Sequence, residues 1–405
     1  MKAHVKAYNR LSVNNKLKLD FVKDKKPIKD KEGRNLFIHA PGLTYEFSQQ
    51  FWQAKNNEVN RQIKRENCQI VVLNPHPNDV THVLYKSLKH RPLGKYPIAT
   101  TIEQEFPNGE LKILLDNEEI KAESVYIIAS ILNEKDFSRV RKVADHYKNT
   151  LKTKIVTLIC PYLGSTREDK NVNSRGEYEP SVTSVRAEIG GLSPFIDRMI
   201  VVEPHSYAAQ ACAAYFGIPF LPTSPWKLMT DELLKKMKII PENTVVIRPD
   251  KGRNLAACRI GKYLKISSVS FDKVRVSGQA VTLYELSDRE KTLVKNKCGI
   301  IYDDEASTMA TMYAIAEALM GYGAKTLMVC LIHCAFTYGW ENRIKHPLFT
   351  TVLGTDSRQP IGNINIADNI QLVSLEPLLR EIIEADIKGI NFWKDKYFRT
   401  MILQE

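Results

Sequence analysis

Two adjacent carboxylates, Asp303 and Asp304, mark the segment of this sequence with the most distinctive chemistry. They end the apolar run CGIIYDD, and small and hydroxyl residues follow before a helical pattern begins. Each carboxylate can accept a hydrogen bond from one hydroxyl of a vicinal diol, so the pair suits a sugar or a metal ion. The alternative is a helix start, where acids complement the helix dipole. Spacing alone leaves both interpretations open.

The turn after these acids has the outline of a phosphate-binding loop that has lost its glycines. Glycine is usual in such loops because backbone N–H groups must approach the anion closely. Here the turn consists of Ser307, Thr308, Met309, Ala310 and Thr311. We therefore predict an acceptor-binding loop that differs in detail from a glycine turn.

Two further clusters follow predicted strands. EPHS (203–206) places His205 beside Glu203, and RPDKGR (248–253) places Asp250 next to a turn glycine. Imidazole is a common metal ligand and proton carrier, although a lone histidine is more often structural. A carboxylate beside a turn suits Mg²⁺ or a hydroxyl.

Cationic side chains supply the third kind of chemistry. Lys273 and Arg275, in FDKVRVSGQ, lie on the same side of an extended segment and could together neutralise developing phosphoryl charge. The long segment PYLGSTREDKNVNSRGEYEPSV adds Arg167, Lys170 and Arg175 directly after a buried strand. These side chains can bind phosphates, and an arginine can also stack on a base. A solvated loop is the alternative for this segment.

The composition is that of an ordinary soluble protein. The chain has 405 residues, 43% hydrophobic and 26% charged, which is enough for two domains with an extension. No stretch reaches about 18 uninterrupted apolar residues, and the N-terminus lacks the apolar core of a signal peptide. The seven cysteines are scattered and form no C-x-x-C pair, so we expect free thiols in the cytoplasm.

The net charge of +12 is unevenly distributed. Residues 1–34 hold eleven Lys and Arg against four Asp and Glu, a surplus of seven. This pattern favours a solvated extension over a nucleic-acid-binding surface, because no basic strip interleaved with aromatic residues accompanies it. We expect neither a nucleic-acid nor a membrane partner.

Continuous apolar runs alternate with helical patterns after residue 66, which predicts an α/β fold with parallel sheets covered on both faces. The strand candidates are 69–75, 124–130, 154–163, 198–206, 243–250, 298–304 and 326–332. The helix candidates are 136–149, 181–192, 206–216, 254–264, 308–323 and the segment NDVTHVLYKSLKHR. We divide the chain into an extension (1–66), a first α/β domain (67–220) and a second with a helical tail (221–405). The polar clusters should meet at the carboxyl ends of the strands.

Six ordered blocks of this sequence resemble the ribose-phosphate pyrophosphokinases (PRPP synthetases). FPNGELKILL is similar to that family's F-S-D-G-E segment, PYLGSTREDKNVNSRGE to its P-Y-x-x-x-x-R-Q-D block, and EPHS to its D-L-H-S. RPDKGR is similar to S-P-D-x-G, FDKVRVSGQ to the K-x-R loop region, and IIYDDEASTMAT to the D-D-x-x-D-T-G-G-T loop. The resemblance covers roughly residues 68–390.

The resemblance implies two phosphoribosyltransferase-like domains in dimers, usually assembled into hexamers. It implies transfer of the β,γ-diphosphoryl group of ATP to the anomeric hydroxyl of ribose 5-phosphate, with Mg²⁺ as cofactor and AMP as the leaving group. Carried over by position, the ATP-binding residues would be Phe106 (from a neighbouring subunit), Asn108, Glu110, Arg167 and Asp169. His205 and Asp250 would place Mg²⁺, with His205 also catalytic. Lys273 and Arg275 would stabilise the transition state, and Asp303 and Asp304 would hold the ribose hydroxyls.

The sequence departs from the family in the loop that would hold the acceptor's 5-phosphate. Ser307 replaces an aspartate, and Met309 and Ala310 replace two glycines. A bulkier loop favours an acceptor whose 5-phosphate carries a substituent, so we expect ADP-ribose, giving ADP-ribose pyrophosphate for NAD synthesis. Ribose 5-phosphate and a non-catalytic regulatory subunit are the alternatives. Aromatic residues within 40–62 could cover a nucleoside, but an amphipathic helix packed on the core is the preferred explanation.

Two other classes stay open at this point. A phosphoribosyltransferase shares the paired acids but normally has one such domain and no K-x-R or adenine blocks. A nucleic-acid-binding module would need the basic extension to be its functional part, and its binding would depend strongly on salt.

Overall fold

The computed structural model describes most of the chain after residue 66. The described residues are 67–73, 75, 77, 79–116, 121–166, 184–205, 207–236, 239–249, 255–271, 273–275, 281–283, 285–361 and 367–402. For 273–275 and 281–283 the backbone alone is described. Within the first 66 residues the described backbone is a short antiparallel pair, β1 (Ile28–Lys29) and β2 (Asn35–Leu36). The aromatic segment 40–62 lies outside the described residues.

The first sheet has seven strands. They are β3 (Cys68–Val72), β4 (Ile98–Glu105), β5 (Leu111–Leu115), β6 (Ser124–Ile128), β7 (Ile155–Cys160), β8 (Arg198–Val202) and β9 (Phe220–Thr223). Their order is β5-β4-β3-β6-β7-β8-β9, and β4–β5 is an antiparallel hairpin at one edge of an otherwise parallel sheet. Strand β9 spans the predicted domain division at residue 220, which itself stays a prediction.

The second sheet has six strands, all parallel. They are β10 (Thr244–Arg248), β11 (Ser267–Ser270), β14 (Cys298–Ala306), β15 (Thr326–Cys334), β16 (Phe349–Thr355) and β17 (Ile370–Val373), in the order β11-β10-β14-β15-β16-β17. A separate antiparallel ribbon joins β12 (Lys273–Arg275) to β13 (Val281–Leu283).

Eleven α-helices lie in the described part of the chain. They are α1 (Val80–His90), α2 (Glu134–Asp145), α3 (Ser184–Leu192), α4 (Tyr207–Tyr215), α5 (Trp226–Lys236), α6 (Leu255–Leu264), α7 (Asp288–Val294), α8 (Ala310–Gly321), α9 (Trp340–Arg343), α10 (Glu376–Ile387) and α11 (Lys396–Met401). Several starts are specified locally. Asp79 caps α1, and the pairs Asn133 with Asp136 and Ser287 with Glu290 form capping boxes at α2 and α7.

The two sheets share a central hydrophobic layer. Ile70 on β3 and Ile300 on β14 face the same cluster, which is filled by helices α1, α5, α6, α10 and α11. The opposite faces are covered separately, the first sheet by α2, α3 and α4 and the second by α7, α8 and α9. Strands buried on both faces explain the continuous apolar runs of the sequence. The predicted α/β fold with parallel sheets flanked by helices is confirmed.

The predicted strands agree with the structure to within a few residues, with one informative difference. Strand β14 continues through both acids to Ala306, because Glu305 and Ala306 still pair with His333 and Cys334 on β15. The acids are therefore held by sheet hydrogen bonds and not by a flexible loop. No helix within the described ranges is long and apolar enough to cross a membrane.

A buried ion pair fastens helix α10 to the first sheet. Arg198 Nη2 lies 2.6 Å from Asp386 Oδ2, and the side chains are only 2% and 4% exposed. The Tyr126 hydroxyl donates to the same carboxylate oxygen at 2.7 Å. Truncating one partner of such a pair leaves a buried charge without compensation.

We expect Asp386→Ala to lower the free energy of unfolding by about 3–5 kcal/mol, because Arg198 stays buried without its carboxylate. Urea-induced unfolding measures this change. The matched control is Glu384→Ala on the same helix, which removes an exposed pair with Lys388 and should cost less than about 1 kcal/mol. Equal losses in the two variants would contradict the role given to burial.

Candidate active site

The site lies where the carboxyl ends of the two sheets face each other. His205 follows β8 of the first sheet, and Asp304 belongs to β14 of the second. The His205 Nδ1 atom lies 2.5 Å from Asp304 Oδ2. The structure therefore brings together two residues that lie 99 positions apart in the sequence.

The electrostatics of this pair favour an ionised carboxylate. Burial alone would raise the pKa of Asp304, but the hydrogen bond and positive charge of His205 outweigh it and hold this pKa well below its usual range. A hydrogen bond with Asp303 also lowers the pKa of Asp304. Separately, Asp303 Oδ1 accepts from the Asp304 backbone N–H at 3.1 Å. An ionised Asp304 accepts hydrogen bonds only, which suits contact with ribose hydroxyls.

Glu203 lies at the turn between strand β8 and His205. Its backbone has a φ of 39°, in the left-handed region that is unfavourable for a residue with a side chain. Its N–H donates to the Thr223 carbonyl at 2.7 Å, and its carboxylate accepts from the Tyr302 hydroxyl at 3.5 Å. Burial raises the pKa of Glu203 to about 8, and the charge of Asp304 adds to the rise, whereas hydrogen bonds from Ser224 and Tyr302 oppose it.

This raised pKa predicts a stability difference that depends on pH. The unfolded chain releases the Glu203 proton near pH 4.5, whereas the folded chain keeps it to about pH 8, so the wild type loses stability as pH rises through this window. Glu203→Gln cannot titrate and should gain about 1–4 kcal/mol relative to the wild type between pH 5 and 8.5. Urea unfolding across this range measures the difference, with the exposed Glu384→Gln as control. Parallel pH curves for wild type and Glu203→Gln would contradict the burial argument.

The acceptor loop keeps a glycine-like backbone without glycine. Met309 has φ 59° and ψ 9°, the left-handed conformation, and it caps helix α8. Its side chain is 2% exposed and packs in the core between the second sheet and its outer helices. Burial of this side chain offsets the backbone cost of about 1–2 kcal/mol. The expectation that Met309 adds bulk to the binding loop is therefore wrong, because the side chain points into the core.

Neighbouring segments hold the rest of this loop in place. The Ser307 hydroxyl lies 2.7 Å from the Thr337 hydroxyl, and Arg343 Nη1 donates to the Thr308 carbonyl at 2.8 Å. Helix α8 begins at Ala310, and helix geometry leaves the N–H groups of a first turn, here including Thr311, without carbonyl partners inside the helix. Such a turn can bind an anion.

The predicted adenine residues form the tip of the β4–β5 hairpin. The Phe106 N–H donates to the Glu110 carbonyl, and Asn108 Oδ1 accepts from the Glu110 N–H. Phe106 is 49% exposed. Three strands separate β4 from β8 in the sheet order, which is roughly 19 Å at ordinary strand spacing. The hairpin of one chain is thus far from its own His205 within the sheet, and the role of Phe106 in a neighbouring subunit stays a prediction.

Other predicted residues are only partly described. The backbone of Lys273 and Arg275 forms β12, and its partner strand β13 contacts helix α8. The K-x-R segment is therefore brought beside the helix that begins at the acceptor loop. Arg167, Asp169 and Asp250 lie outside the described residues, and their roles stay predictions.

The donors present are compatible with Mg²⁺ bound mainly through substrate. Within the residues described, no group of three or more His, Cys, Asp or Glu side chains could hold a metal by itself. Mg²⁺ commonly uses one or two carboxylates together with water and substrate phosphates. Of the two predicted metal ligands, His205 has its ring orientation fixed by the hydrogen bond to Asp304, and Asp250 lies outside the described residues.

Sequence reasoning missed a group of buried polar residues behind the pair. His333 lies 2.9 Å from the Ser357 hydroxyl and packs edge-on against Tyr162. The guanidinium of Arg358 lies over the Tyr162 ring at 4.4 Å and 3.9 Å from Glu305. The only signal in the sequence was position, because each of these residues lies near the carboxyl end of a strand.

Curated proteins of one kind are similar to this chain along most of its length. The ribose-phosphate pyrophosphokinase of Thermotoga maritima is 27% identical over 281 residues, which is 69% of this chain and 84% of that protein. The enzyme of the same name from Campylobacter jejuni is 25% identical over 299 residues, 72% of this chain and 90% of that protein. No protein-family model matches the chain.

A solved structure supports the same fold. The phosphoribosylpyrophosphate synthetase of Mycobacterium smegmatis superposes with a TM-score of 0.65 and 21% identity, covering 80% of this chain and 99% of that one. The ordered motifs, the fold and the relatives agree. The chain is therefore similar to the ribose-phosphate pyrophosphokinases along most of its length and shares the fold of a phosphoribosylpyrophosphate synthetase.

Proposed function

We propose that this protein transfers the β,γ-diphosphoryl group of ATP to the anomeric hydroxyl of a 5-phosphorylated ribose and releases AMP. The observation that carries the proposal is the contact of His205 with Asp304 across the two sheets, next to a loop whose backbone suits phosphate. The names of the similar proteins point to ribose 5-phosphate as the acceptor, which would give PRPP for nucleotide synthesis.

Each part of the site has one task in this reaction. The carboxylates of Asp303 and Asp304 accept hydrogen bonds from the 2- and 3-hydroxyls, which fixes the ribose with its anomeric oxygen facing ATP. The loop from Ser307 to Thr311 takes the 5-phosphate on its N–H groups. Lys273 and Arg275 meet the negative charge that builds up as AMP leaves. Bound Mg²⁺ would neutralise charge on the phosphates of ATP.

The backbone of the acceptor loop favours ribose 5-phosphate over ADP-ribose. A terminal phosphate needs several N–H donors close together, and the left-handed turn at Met309 supports such a cradle. Loop bulk does not favour ADP-ribose, because the Met309 side chain is buried in the core.

A different observation keeps ADP-ribose as the second candidate. Tyr338 is 96% exposed and directly follows Thr337, the residue whose hydroxyl contacts Ser307. Ile361 is 69% exposed and its N–H donates to the Ala335 carbonyl on the same segment. An exposed aromatic ring on the segment that contacts the acceptor loop could stack on an adenine linked to the 5-phosphate.

The two acceptors are separated by one assay. The protein is incubated with ATP and Mg²⁺ plus either ribose 5-phosphate or ADP-ribose, and AMP is quantified against a no-acceptor control. We expect AMP with ribose 5-phosphate. If AMP forms with ADP-ribose and not with ribose 5-phosphate, ADP-ribose is the acceptor. In that case Tyr338→Ala should raise the KM for ADP-ribose about tenfold. No AMP with either acceptor would leave a regulatory subunit as the function.

Assembly and compartment belong to the same proposal. The exposed Phe106 at a hairpin tip supports a dimer-based homo-oligomer in which one subunit completes the adenine site of another. All seven cysteines are free thiols, which fits the cytoplasm.

A further inference from the structure

A second histidine connects the two sheets behind the active site. His333 ends the buried strand β15 and is 2% exposed. Its Nε2 atom lies 2.9 Å from the Glu203 carbonyl oxygen, and its Nδ1 atom lies 2.9 Å from the Ser357 hydroxyl. Both ring nitrogens are therefore committed to specific partners, one on each side of the cleft.

The partners determine which nitrogen of His333 carries the proton. A carbonyl oxygen only accepts, so Nε2 must carry a hydrogen and donate it to Glu203. Burial lowers the pKa of His333, so the ring is neutral and Nδ1 accepts from the Ser357 hydroxyl. The Ser357 hydroxyl also lies 3.0 Å from the Ile332 carbonyl oxygen. That oxygen already accepts from Thr355 Oγ1 at 2.6 Å, so we assign the single hydroxyl hydrogen of Ser357 to Nδ1 of the neutral ring.

His333 donates to the carbonyl of Glu203, and at Glu203 the chain turns towards His205. Glu203 has a left-handed backbone, and Pro204 alone separates it from His205. A strained conformation persists only where the surroundings hold it. The Thr223 carbonyl holds the Glu203 N–H, and His333 holds the Glu203 carbonyl.

We propose that His333 is a positioning residue for the reaction. Its Nε2–H fixes the Glu203 carbonyl, and the short segment 203–205 then sets the His205 ring against Asp304. His333 does not contact the substrate in this scheme, and it acts through His205. The assignment of a catalytic effect rests on the proposed function, whereas the hydrogen bond itself can be tested without activity.

Three substitutions separate the hydrogen bond from simple packing. His333→Gln places an amide N–H near the Nε2 position, His333→Asn has a side chain one bond shorter, and His333→Phe fills the space without a donor. We expect kcat for AMP release to stay within about fivefold for Gln and to fall about 100-fold for Asn and Phe, since small misplacements of reacting groups cost that much. KM for ATP should change less than threefold.

If His333→Phe does not fold, the kcat values of His333→Gln and His333→Asn are still sufficient to test the hydrogen bond. Ser357→Ala is the matched control, since it removes the Nδ1 partner and leaves the Nε2–H contact with Glu203. It should retain kcat within about threefold. Equal losses for Gln and Asn, or a folded Phe variant with unchanged kcat, would overturn the proposal.

A double-mutant cycle tests whether the effect passes through His205. If it does, His333→Asn in a His205→Ala background should lower the residual rate less than threefold, although it costs about 100-fold in the wild type. If the rate losses of His333→Asn and His205→Ala multiply in the double variant, His333 acts independently of His205. The positioning role would then be wrong.

Nitrogen NMR of the histidine-labelled full chain tests the contact independently of activity. The signal that disappears in His333→Gln identifies the residue, and we expect a neutral ring with the proton on Nε2. A proton on Nδ1 would overturn the proposal even if the enzyme is active. If no acceptor yields AMP but the Nε2 proton is found, the proposed function fails while the geometry stands.

Discussion

Asp304→Asn is expected to lower kcat/KM for the ribose acceptor by about 100- to 1,000-fold. The substitution preserves side-chain size but removes the charge that pairs with His205 at 2.5 Å. In the proposed function, the same charge accepts a hydrogen bond from a ribose hydroxyl. Hydrogen bonds to charged groups contribute about 1.5–3 kcal/mol each, and each 1.4 kcal/mol is a factor of ten. Steady-state AMP release at varied acceptor concentration measures the change.

The control for this prediction is Asp288→Asn, which changes a fully exposed carboxylate at the start of α7. It should leave kcat/KM within twofold. The melting temperature of Asp304→Asn should be determined alongside, because Asp304 also joins the two sheets. A folded Asp304→Asn protein with the wild-type kcat/KM would show that the acids do not hold the acceptor.

Lys273→Ala is the second substitution with a large expected effect, a fall in kcat of about 1,000-fold. The K-x-R ribbon pairs β12 with β13, and β13 contacts the helix that begins at the acceptor loop. A cation that meets charge present only in the transition state contributes to kcat and little to ground-state binding. The KM for ATP should therefore change only a few-fold.

Rapid quench of a single turnover measures the chemical step for Lys273→Ala directly. Lys262→Ala removes an exposed lysine on α6 and serves as the control with unchanged turnover. Arg275→Ala should resemble Lys273→Ala, and the double variant should lose less than the product of the two effects if both act on the same charge. Unchanged turnover in Lys273→Ala would remove the ribbon from the mechanism.

The sequence was sufficient for the fold class because its strands are buried on both faces. Apolar runs such as CQIVV and IVTLIC have no other simple explanation, and both are central strands. Short or mixed strands were missed, among them β9, β16 and β17. Their residues alternate too little in polarity, or are too few, to be distinguished from loops.

The members of the site were easier to predict than their arrangement. His205 and Asp304 stood out because polar residues end apolar strands, yet nothing local indicates that the two sheets share one helical layer and face each other. His333 looked like part of a core strand, since LMVCLIHCAF is apolar on both sides of it. Its proposed role depends on a contact with a distant segment, the carbonyl of Glu203.

Met309 shows how a sound local rule can give a wrong expectation. Loss of glycine suggested a remodelled, bulkier phosphate loop, whereas the backbone keeps the left-handed turn. The rule does not consider that burial of a side chain can offset the free-energy cost of a left-handed backbone. The direction of the Met309 side chain is seen only in the packed structure. The backbone conformation of the loop is therefore a better guide to which acceptor binds than the residue types in the loop.

The most direct test of the central claim follows the fate of the β-phosphorus of ATP. ATP labelled with radioactive phosphorus at both the β and γ positions is incubated with Mg²⁺, ribose 5-phosphate and the protein, and the products are separated by ion-exchange chromatography. We predict one labelled diphosphate attached to C1 of the ribose and unlabelled AMP in equal amount. Labelled ADP with a ribose monophosphate ester, or free labelled pyrophosphate from the start of the reaction, would contradict the transfer of an intact diphosphoryl group.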